Sequence, residues 1–302
     1  MMDKIQNITQ EAAGFNASAV SSFFELMKPR VMSLVIFTGF AGMYLAPGDF
    51  HPVLAVISLI AIASGAGASG AINQWYDRDI DEIMLRTRNR PIPSGRVQPA
   101  EALGFGVTIS VLSVLILSLS ANLLAGGLLA FTIVFYGLIY TVWLKRSTAQ
   151  NIVIGGAAGA LPPLIGWVTV TGSVGIEPII LFGLIFFWTP PHFWALALVK
   201  NEDYKNANIP MLPVVYGAQE TRRQIVIYSA IMVLVSFLPT LIGMSNLLYF
   251  GIAFVGGLIF LALAVQLARK PNDGRAIGLF KYSIAYLFIL FVALICDHAI
   301  LG

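Results

Sequence analysis

Three observations predict an all-α polytopic membrane protein: the composition, the length of the apolar stretches and the placement of the charges. Of the 302 residues, 58% are hydrophobic and 11% are charged, and the mean hydropathy is +0.83. Ordinary globular domains carry a charged fraction of about 25%. The composition therefore excludes a soluble globular protein, and it gives no indication of a soluble appended domain or of a nucleic-acid partner.

Nine apolar stretches are long enough to cross a bilayer, which takes about 20 helical residues. They lie at residues 27–46, 52–73, 102–120, 123–143, 151–172, 178–199, 223–244, 247–267 and 280–299. The first stretch is interrupted by Gly39 and Gly42. We predict nine transmembrane helices, with a polar N-terminal tail over 1–22 and a single intramembrane domain over 23–302.

The positive charges lie on one side of the membrane in this topology. All 18 Lys and Arg residues fall at the N-terminal end of the chain (Lys4, Lys28 and Arg30) or in and next to the loops after spans 2, 4, 6 and 8. The opposite side carries Asp49, Glu177 and Asp297 as its acidic residues. Because cytoplasmic loops are rich in Lys and Arg, we predict a multi-pass protein of the bacterial inner membrane with its N-terminus in the cytoplasm and its C-terminus in the periplasm.

The end of the second span carries the polar residues that say most about function. Asn73, Asp77 and Asp81 are four residues apart, so on a helix they lie along one stripe, whereas Asp79 points elsewhere. An acidic residue at the centre of a bilayer costs about 2.5–3.5 kcal/mol, so this group must face a polar cavity or the interface. Oxygen ligands of this kind suit Mg²⁺ that is shared with substrate phosphates.

A second polar cluster, residues 200–208, follows span 6 on the same predicted side. We expect the two clusters to face each other across one cavity. Pro190 and Pro191 lie shortly before the second cluster. Since proline removes a helical hydrogen bond and clashes with the preceding turn, they are expected to break or kink span 6.

These motifs resemble those of the intramembrane prenyltransferase superfamily typified by 4-hydroxybenzoate polyprenyltransferase. The first resemblance is the N-x-x-x-D-x-x-x-D pattern of Asn73, Asp77 and Asp81, followed by Arg86-Thr87 and Arg90-Pro91. Further segments are similar to the branch that prenylates haem. They are Lys28-Pro29-Arg30-Val31, Trp188-Thr189-Pro190-Pro191-His192-Phe193-Trp194, Asp203-Tyr204-Lys205-Asn206-Ala207 and Ile209-Pro210-Met211-Leu212-Pro213. The superfamily usually has a second aspartate four residues after Asp203, where this chain has Ala207, as the haem branch does.

The resemblance implies a helical bundle around a central cavity that opens to the cytoplasmic side. It also implies transfer of a farnesyl group from farnesyl diphosphate to the vinyl group of haem b, with addition of water, to give haem O and diphosphate. A haem A synthase or a terminal oxidase assembly factor is the protein partner it suggests. The metal ligands it implies are Asn73, Asp77, Asp81 and Asp203. The cations implied to bind diphosphate are Arg86, Arg90, Lys145, Arg146, Lys205 and Arg30.

Two further groups of residues have both a functional and an ordinary explanation. An allylic cation needs a dry pocket and is stabilised by aromatic faces, for which Tyr136, Tyr140, Trp143 and Trp167 are candidates; ordinary packing also explains them. An ionisable side chain inside a span suggests function, so His192 is a candidate haem contact, through iron or a propionate. The alternative is a hydrogen-bonded core histidine.

Other functions remain open at this point. A secondary transporter also uses interrupted helices and buried charges, but its site usually lies near the middle of the membrane. A non-catalytic assembly factor would not need carboxylates at four-residue spacing. A quinone precursor or chlorophyllide in place of haem would keep the same chemistry.

Overall fold

The computed structural model describes residues 19–301, and every regular element in that range is a helix. The nine long helices are α1 (Pro29–Leu45), α2 (Pro52–Tyr76), α3 (Pro99–Ser120), α4 (Leu123–Ser147), α5 (Asn151–Thr171), α6 (Ile176–Val199), α7 (Gly217–Val235), α8 (Leu247–Arg269) and α9 (Asp273–Leu301). Short helices lie at 19–26, Arg78–Ile83, Asn201–Asn206, Leu212–Val215 and Leu238–Leu241. Most of the predicted tail, residues 1–18, lies outside the described residues.

Each of the nine predicted spans overlaps one long helix, but the seventh, predicted over 223–244, extends past the end of α7 at Val235 into the short helix Leu238–Leu241. Within residues 19–301, eight helices are long and apolar enough to cross a membrane. The remaining helix, α1, has 17 residues, which at 1.5 Å per residue gives about 25 Å, near the lower limit for a span. The all-α polytopic prediction is confirmed, although α7 and α9 begin earlier than predicted, at Gly217 and Asp273 instead of residues 223 and 280.

Local sequence sets several helix starts. Pro29, Pro52 and Pro99 occupy the first turns of α1, α2 and α3, where a missing N–H leaves no hydrogen bond unmade. Gln98 and Glu101 form a reciprocal capping box at the start of α3. Such caps satisfy N–H groups that the helix itself leaves free, so these boundaries follow from residues that lie next to each other in the chain.

The helices α1 and α5 cross in backbone contact. A Cβ atom at Gly42 would lie 2.0 Å from the carbonyl oxygen of Pro163, and one at Gly166 would lie 2.1 Å from that of Gly39. No side chain fits at such distances, so glycine lets the two backbones meet. On its other side α1 contacts α9, where the rings of Phe37 and Phe288 are 4.8 Å apart.

The predicted break at Pro190–Pro191 is wrong. The helix α6 runs without interruption from Ile176 to Val199 with both prolines inside it. Both proline side chains are buried in the bundle, and packing against α5, α7 and α9 supports the helix where the two N–H groups are missing. The carbonyl groups four residues before the prolines therefore lack their usual helical donors.

Large apolar side chains cover the outer surface of the bundle. Leu119, Leu123 and Leu247 are 87%, 82% and 83% exposed, and many other Leu, Ile, Val and Phe side chains share this surface. An apolar surface of this extent is rare on soluble monomers and matches the hydrocarbon of a bilayer. The chain is a multi-pass membrane protein.

Candidate active site

The predicted ligands Asn73, Asp77 and Asp81 come together at the end of α2. The helix stops at Tyr76, and a short helix begins at Arg78. Across this joint the N–H of Asp77 donates to the carbonyl of Asn73 (2.9 Å), and that of Asp81 donates to the carbonyl of Asp77 (2.8 Å). The four-residue repeat is thus preserved. The three side chains are 4%, 0% and 2% exposed, so the stripe is buried.

A cation contacts each of these three side chains. The Lys145 ammonium pairs with Oδ2 of Asp77. The Arg90 guanidinium donates through Nη1 to Oδ1 and Oδ2 of Asp81 at 2.9 and 2.7 Å. Nζ of Lys28 donates to Oδ1 of Asn73 at 2.8 Å. Since buried carboxylates are stable only when paired, these cations neutralise the acidic stripe.

Asp79 lies apart from the stripe, as predicted. Its side chain is 61% exposed and accepts two hydrogen bonds from the Arg146 guanidinium, at 2.7 and 2.8 Å. These hydrogen bonds hold the pKa of Asp79 below its usual value. The same guanidinium lies over the Tyr76 ring at 4.8 Å, and its Nη2 atom is 3.5 Å from Oδ1 of Asp77. Asp79 therefore orients a cation that borders the site.

Lys28 is a site residue that sequence reasoning did not identify. Its backbone has φ 57° and ψ 62°, the left-handed region that non-glycine residues seldom occupy. This turn, immediately before α1, directs the side chain to Asn73 and places its ammonium 5.8 Å from the Tyr136 ring centre. Burial, together with the nearby charges of Arg90 and Lys145, lowers the pKa of Lys28 to about 7.

Two hydrogen bonds hold the segment that carries Lys28. The buried Gln74 side chain donates to the carbonyl of Leu26 at 2.8 Å, and Arg96 pairs with Glu25 at 2.7 Å. By contrast, Arg30 is exposed on α1, and none of the described contacts joins its guanidinium to the stripe. The structure thus brings Lys28 to the site in the place that the sequence suggested for Arg30.

The second polar cluster shares a cavity with the loop that follows the acidic stripe. This cavity of about 350 Å³ is lined by Arg86 from that loop and by Lys200, Glu202 and Asp203 from the second cluster, whereas Asn73, Asp77 and Asp81 do not line it. Between them Tyr204 is buried, and burial raises the pKa of its hydroxyl. Lys205 is exposed. Arg86 and Asp203 therefore share one cavity, and Lys205 is not among the residues that line it.

The helix α4 supplies the other wall of the site. Residues Phe135–Leu144 form a π-helix, in which Tyr136 and Tyr140 stack at 5.2 Å. The Thr141 hydroxyl accepts a hydrogen bond from Nδ2 of Asn73 at 3.1 Å. Of the four candidate aromatic residues, Tyr136 and Tyr140 are at the site. Trp143 is 65% exposed, and Trp167 is packed in the core.

A second cavity extends from the site into the bundle. It has a volume of about 110 Å³ and lies between α1, α2, α4 and α5. Lys28, Gly70 and Tyr136 line one part of it, and the rest is lined mostly by apolar residues, Val35 and Ile62 among them. A polar cluster therefore borders an apolar cavity.

His192 lies in the core between α6 and α9. Its ring is stacked between those of Trp188 (4.2 Å) and Phe280 (4.5 Å), and its Nδ1 atom is 2.7 Å from the Ser283 hydroxyl oxygen. It lines neither of the two cavities described above. These contacts are those of a packed histidine with one nitrogen engaged, and the structure does not bring it to the acidic stripe.

The donor set fits a hard divalent cation. Within residues 19–301 no group of three or more His, Cys, Asp and Glu side chains is suited to a metal. Asp77 and Asp81, however, add two carboxylates to the amide oxygen of Asn73, and Mg²⁺ commonly takes one or two carboxylates with the remainder from substrate and water. Oδ1 of Asp77 is buried without a hydrogen-bond partner, and the Arg146 guanidinium 3.5 Å away is the cation nearest to it among the ion pairs of the described residues.

The comparisons with known proteins agree with this geometry. Residues 35–294 match the model of the UbiA prenyltransferase family. The chain belongs to this family. Among its relatives, the protoheme IX farnesyltransferase of Methylobacterium nodulans is 55% identical over 97% of this chain and 94% of its own. That of Methylorubrum extorquens is 57% identical over 93% of this chain and 90% of its own.

Solved structures of UbiA-type proteins share the fold. A membrane digeranylgeranylglyceryl phosphate synthase superposes with a TM-score of 0.78 at 19% identity, covering 93% of this chain and 98% of that protein. A UbiA homologue from Archaeoglobus fulgidus, bound to DMAPP and Mg²⁺, superposes with a TM-score of 0.67 at 17% identity, covering 91% and 99%. This UbiA-family chain is therefore a prenyltransferase with the intramembrane helical fold.

Proposed function

We propose that this protein transfers a farnesyl group from farnesyl diphosphate to a vinyl group of haem b, giving haem O for respiratory oxidases. The observation that carries the proposal is the buried stripe of Asn73, Asp77 and Asp81 with its cations, in a chain more than half identical to protoheme IX farnesyltransferases. Those names describe the relatives, and the same activity is our proposal for this chain.

The reaction balances with water as the third reactant. The allylic C–O bond of farnesyl diphosphate breaks, and its electron pair leaves with diphosphate. The farnesyl carbon then forms a C–C bond to the terminal vinyl carbon of haem, which leaves a cation on the carbon next to the porphyrin ring. Water adds there and loses a proton, giving a hydroxyalkyl group. The protein must therefore stabilise an anion that leaves and a cation that remains.

The acidic stripe and its cations are suited to the leaving diphosphate. We propose that Asn73, Asp77, Asp81 and Asp203 hold Mg²⁺, which when bound neutralises charge on diphosphate. The Mg²⁺ in the A. fulgidus homologue supports this. Lys28, Lys145 and Arg90 already lie at the ligand oxygens, so their charges are in place where negative charge develops. Arg86 and Arg146 border the same region.

The apolar cavity and the tyrosines are suited to the prenyl group. An allylic cation reacts with any water it meets, so it must be held in a dry site. We propose that the prenyl chain occupies the cavity that begins at Tyr136 and continues past Val35 and Ile62. The stacked faces of Tyr136 and Tyr140 would stabilise the cation through their π electrons.

The direct test uses the purified protein with farnesyl diphosphate, haem b and Mg²⁺. Mass spectrometry of the extracted haem should show the mass increase of one farnesyl group plus one hydroxyl group. Cells that lack the protein should accumulate haem b in place of haem O. If the protein leaves haem unchanged but prenylates an aromatic quinone precursor or chlorophyllide, the acceptor proposed here is wrong and the prenyltransferase chemistry stands.

His192 provides a separate test of the acceptor site. Since Nδ1 is engaged by Ser283, Nε2 is the atom left for a haem contact. We expect His192→Ala to weaken haem binding about tenfold, which is the loss of one good contact, and to leave binding of a non-hydrolysable farnesyl diphosphate analogue unchanged. Absorbance titration with haem and calorimetry with the analogue measure the two separately. Unchanged haem affinity and product formation would make His192 a packing residue.

We also propose an inner-membrane location with the active site on the cytoplasmic side. The Lys and Arg distribution supports it, and nine spans that begin in the cytoplasm end in the periplasm. A reporter fused after Gly302 should be periplasmic, and one inserted near Asn272 should be cytoplasmic. If both reporters were on one side of the membrane, α9, the helix between them, would not cross it. If instead the two ends of the chain were on one side, the number of spans would be even, and α1, the shortest of the nine helices, would be the span to remove.

A further inference from the structure

The π-helix in α4 is the least expected element of the fold. π-helices are rare, usually one turn long, and frequent at functional sites. Here the segment covers the ten residues Phe135–Leu144. The N–H group of Lys145 still donates to the carbonyl of Tyr140, five residues back. The segment contains no proline to force such a widening of the helix.

The wider turn brings two site residues to one face. Tyr136 and Lys145 are nine residues apart, and because an α-helix turns about 100° per residue they would lie about 180° apart. Hydrogen bonds to the fifth residue widen the turn to about 4.4 residues, which returns position 145 to nearly the same face. In the structure Tyr136 lies beside Lys28, and Lys145 pairs with Asp77. An α-helix would turn one of the two residues away from the site.

Thr141 lies between them, and its hydroxyl links the π-helix to the acidic stripe. The side chain is fully buried. Its Oγ1 donates to the carbonyl of Tyr136 at 2.8 Å, five residues back. The same oxygen is 3.1 Å from Nδ2 of Asn73. A hydroxyl has one hydrogen, and here the Tyr136 carbonyl takes it. Towards Asn73 the hydroxyl can therefore act only as an acceptor.

The direction of the two Thr141 hydrogen bonds fixes the orientation of the Asn73 amide. An acceptor on one side requires the NH₂ group there, which leaves Oδ1 on the side of Lys28. Oδ2 of Asp77 also accepts from Nδ2, at 2.7 Å. Asp77, however, is itself a proposed metal ligand, so its hydrogen bond to Asn73 changes when its oxygens bind a cation. The bond to Thr141 does not depend on any ligand.

We propose that Thr141 is a positioning residue, whose hydroxyl uses the π-helical carbonyl of Tyr136 to hold the Asn73 amide with Oδ1 directed into the site. This inference rests on the proposed function, since it assumes that Asn73 Oδ1 receives a metal ion. Thr141 itself does not touch the metal or the substrate. It acts through Asn73, as residues behind metal ligands commonly do.

The test compares three substitutions of Thr141 in the full-length purified protein. Thr141→Ser keeps the hydroxyl and loses the methyl group, Thr141→Ala loses both, and Thr141→Val keeps the shape and loses the hydroxyl. The matched control is Thr169→Val in α5, because Thr169 is also buried and donates to a carbonyl in its own helix, that of Ile165, at 2.9 Å. The Thr169→Val substitution removes a buried hydroxyl that lies away from the acidic stripe.

Metal binding is measured with Mn²⁺ as the probe, by electron paramagnetic resonance, in the presence of farnesyl thiodiphosphate and without haem. We expect Thr141→Ala and Thr141→Val to weaken Mn²⁺ binding about tenfold or more, the usual effect of removing a partner of a metal ligand. Thr141→Ser should stay within about twofold of the unmodified protein by the same reasoning, because the hydroxyl is retained. Thr169→Val should bind Mn²⁺ as the unmodified protein does.

Three results would overturn the proposal. In the first, Thr141→Val binds Mn²⁺ normally. In the second, Thr141→Ser is impaired as strongly as Thr141→Ala, so that packing of the methyl group is responsible. In the third, neither hydroxyl-free variant folds, which assigns the hydroxyl to stability. The proposed function fails in a different way, since farnesyl transfer to haem would be absent from the unmodified protein while its Mn²⁺ affinity still depended on Thr141.

Discussion

Replacing Asp77 or Asp81 by alanine is expected to reduce farnesyl transfer by a factor of about 100 or more, the effect of losing one group that stabilises charge in a transition state. Both carboxylates are almost fully buried in the stripe beside Asn73, and each is a proposed metal ligand. Because the stripe is buried, water cannot take the place of either missing carboxylate. Initial rates with saturating haem and farnesyl diphosphate, at several Mg²⁺ concentrations, measure the effect.

Asp79→Ala is the matched control for these two variants. Asp79 lies on the same short segment but is mostly exposed and contacts Arg146. Its removal frees a cation at the edge of the site without taking an oxygen from the stripe, so we expect a loss of less than about tenfold. If all three variants lost activity equally, the assignment of the stripe as the metal site would be refuted.

The stripe could be predicted because its geometry is local. Residues four apart share a face of any helix, and this held although α2 ends at Tyr76 and the chain continues in a new short helix. The same is true of the nine spans, since the length and hydrophobicity of a segment are properties of that segment alone. The placement of Arg86 and Asp203 around one cavity followed from the loop order that the spans impose.

Lys28 and the π-helix could not be predicted in this way. The left-handed backbone at Lys28 depends on the anchoring of the preceding segment by Gln74 and Arg96, which are distant in sequence. Pro29 then starts α1 and leaves Arg30 on an exposed face. The π-helix leaves no mark on hydrophobic periodicity, because nearly every residue of Phe135–Leu144 is apolar or aromatic.

His192 also shows what cannot be predicted from local sequence. A histidine inside a span is a strong functional signal, but its meaning depends on its neighbours. Ser283 and Phe280, which engage it, lie about 90 residues away in sequence on α9. Trp188 is four residues away on the same helix, but neither the stacking with Phe280 nor the hydrogen bond to Ser283 is visible in the residues around His192. The haem contact therefore stays a prediction, tested by the titrations above.

Lys145→Met is expected to destabilise the protein and also abolish farnesyl transfer. Lys145 is 16% exposed and pairs with Asp77, which is 0% exposed. Removing one partner of a buried ion pair leaves an uncompensated charge, which costs about 3–5 kcal/mol. We expect a value near 3 kcal/mol, at the lower end of that range, because Arg146 lies 3.5 Å from the other oxygen of Asp77. Thermal unfolding in detergent measures the stability, and product formation measures the transfer.

Adding Asp77→Asn to Lys145→Met separates the two roles of the pair. The double variant has neither charge, and the neutral amide keeps the shape of the carboxylate, so most of the lost stability should return. Farnesyl transfer should not return, because the double variant lacks both a carboxylate for the metal and a cation for the diphosphate. If activity recovered together with stability, the pair would serve only to hold α4 against α2. If stability failed to recover, the buried charge on Asp77 would not be what destabilises the single variant.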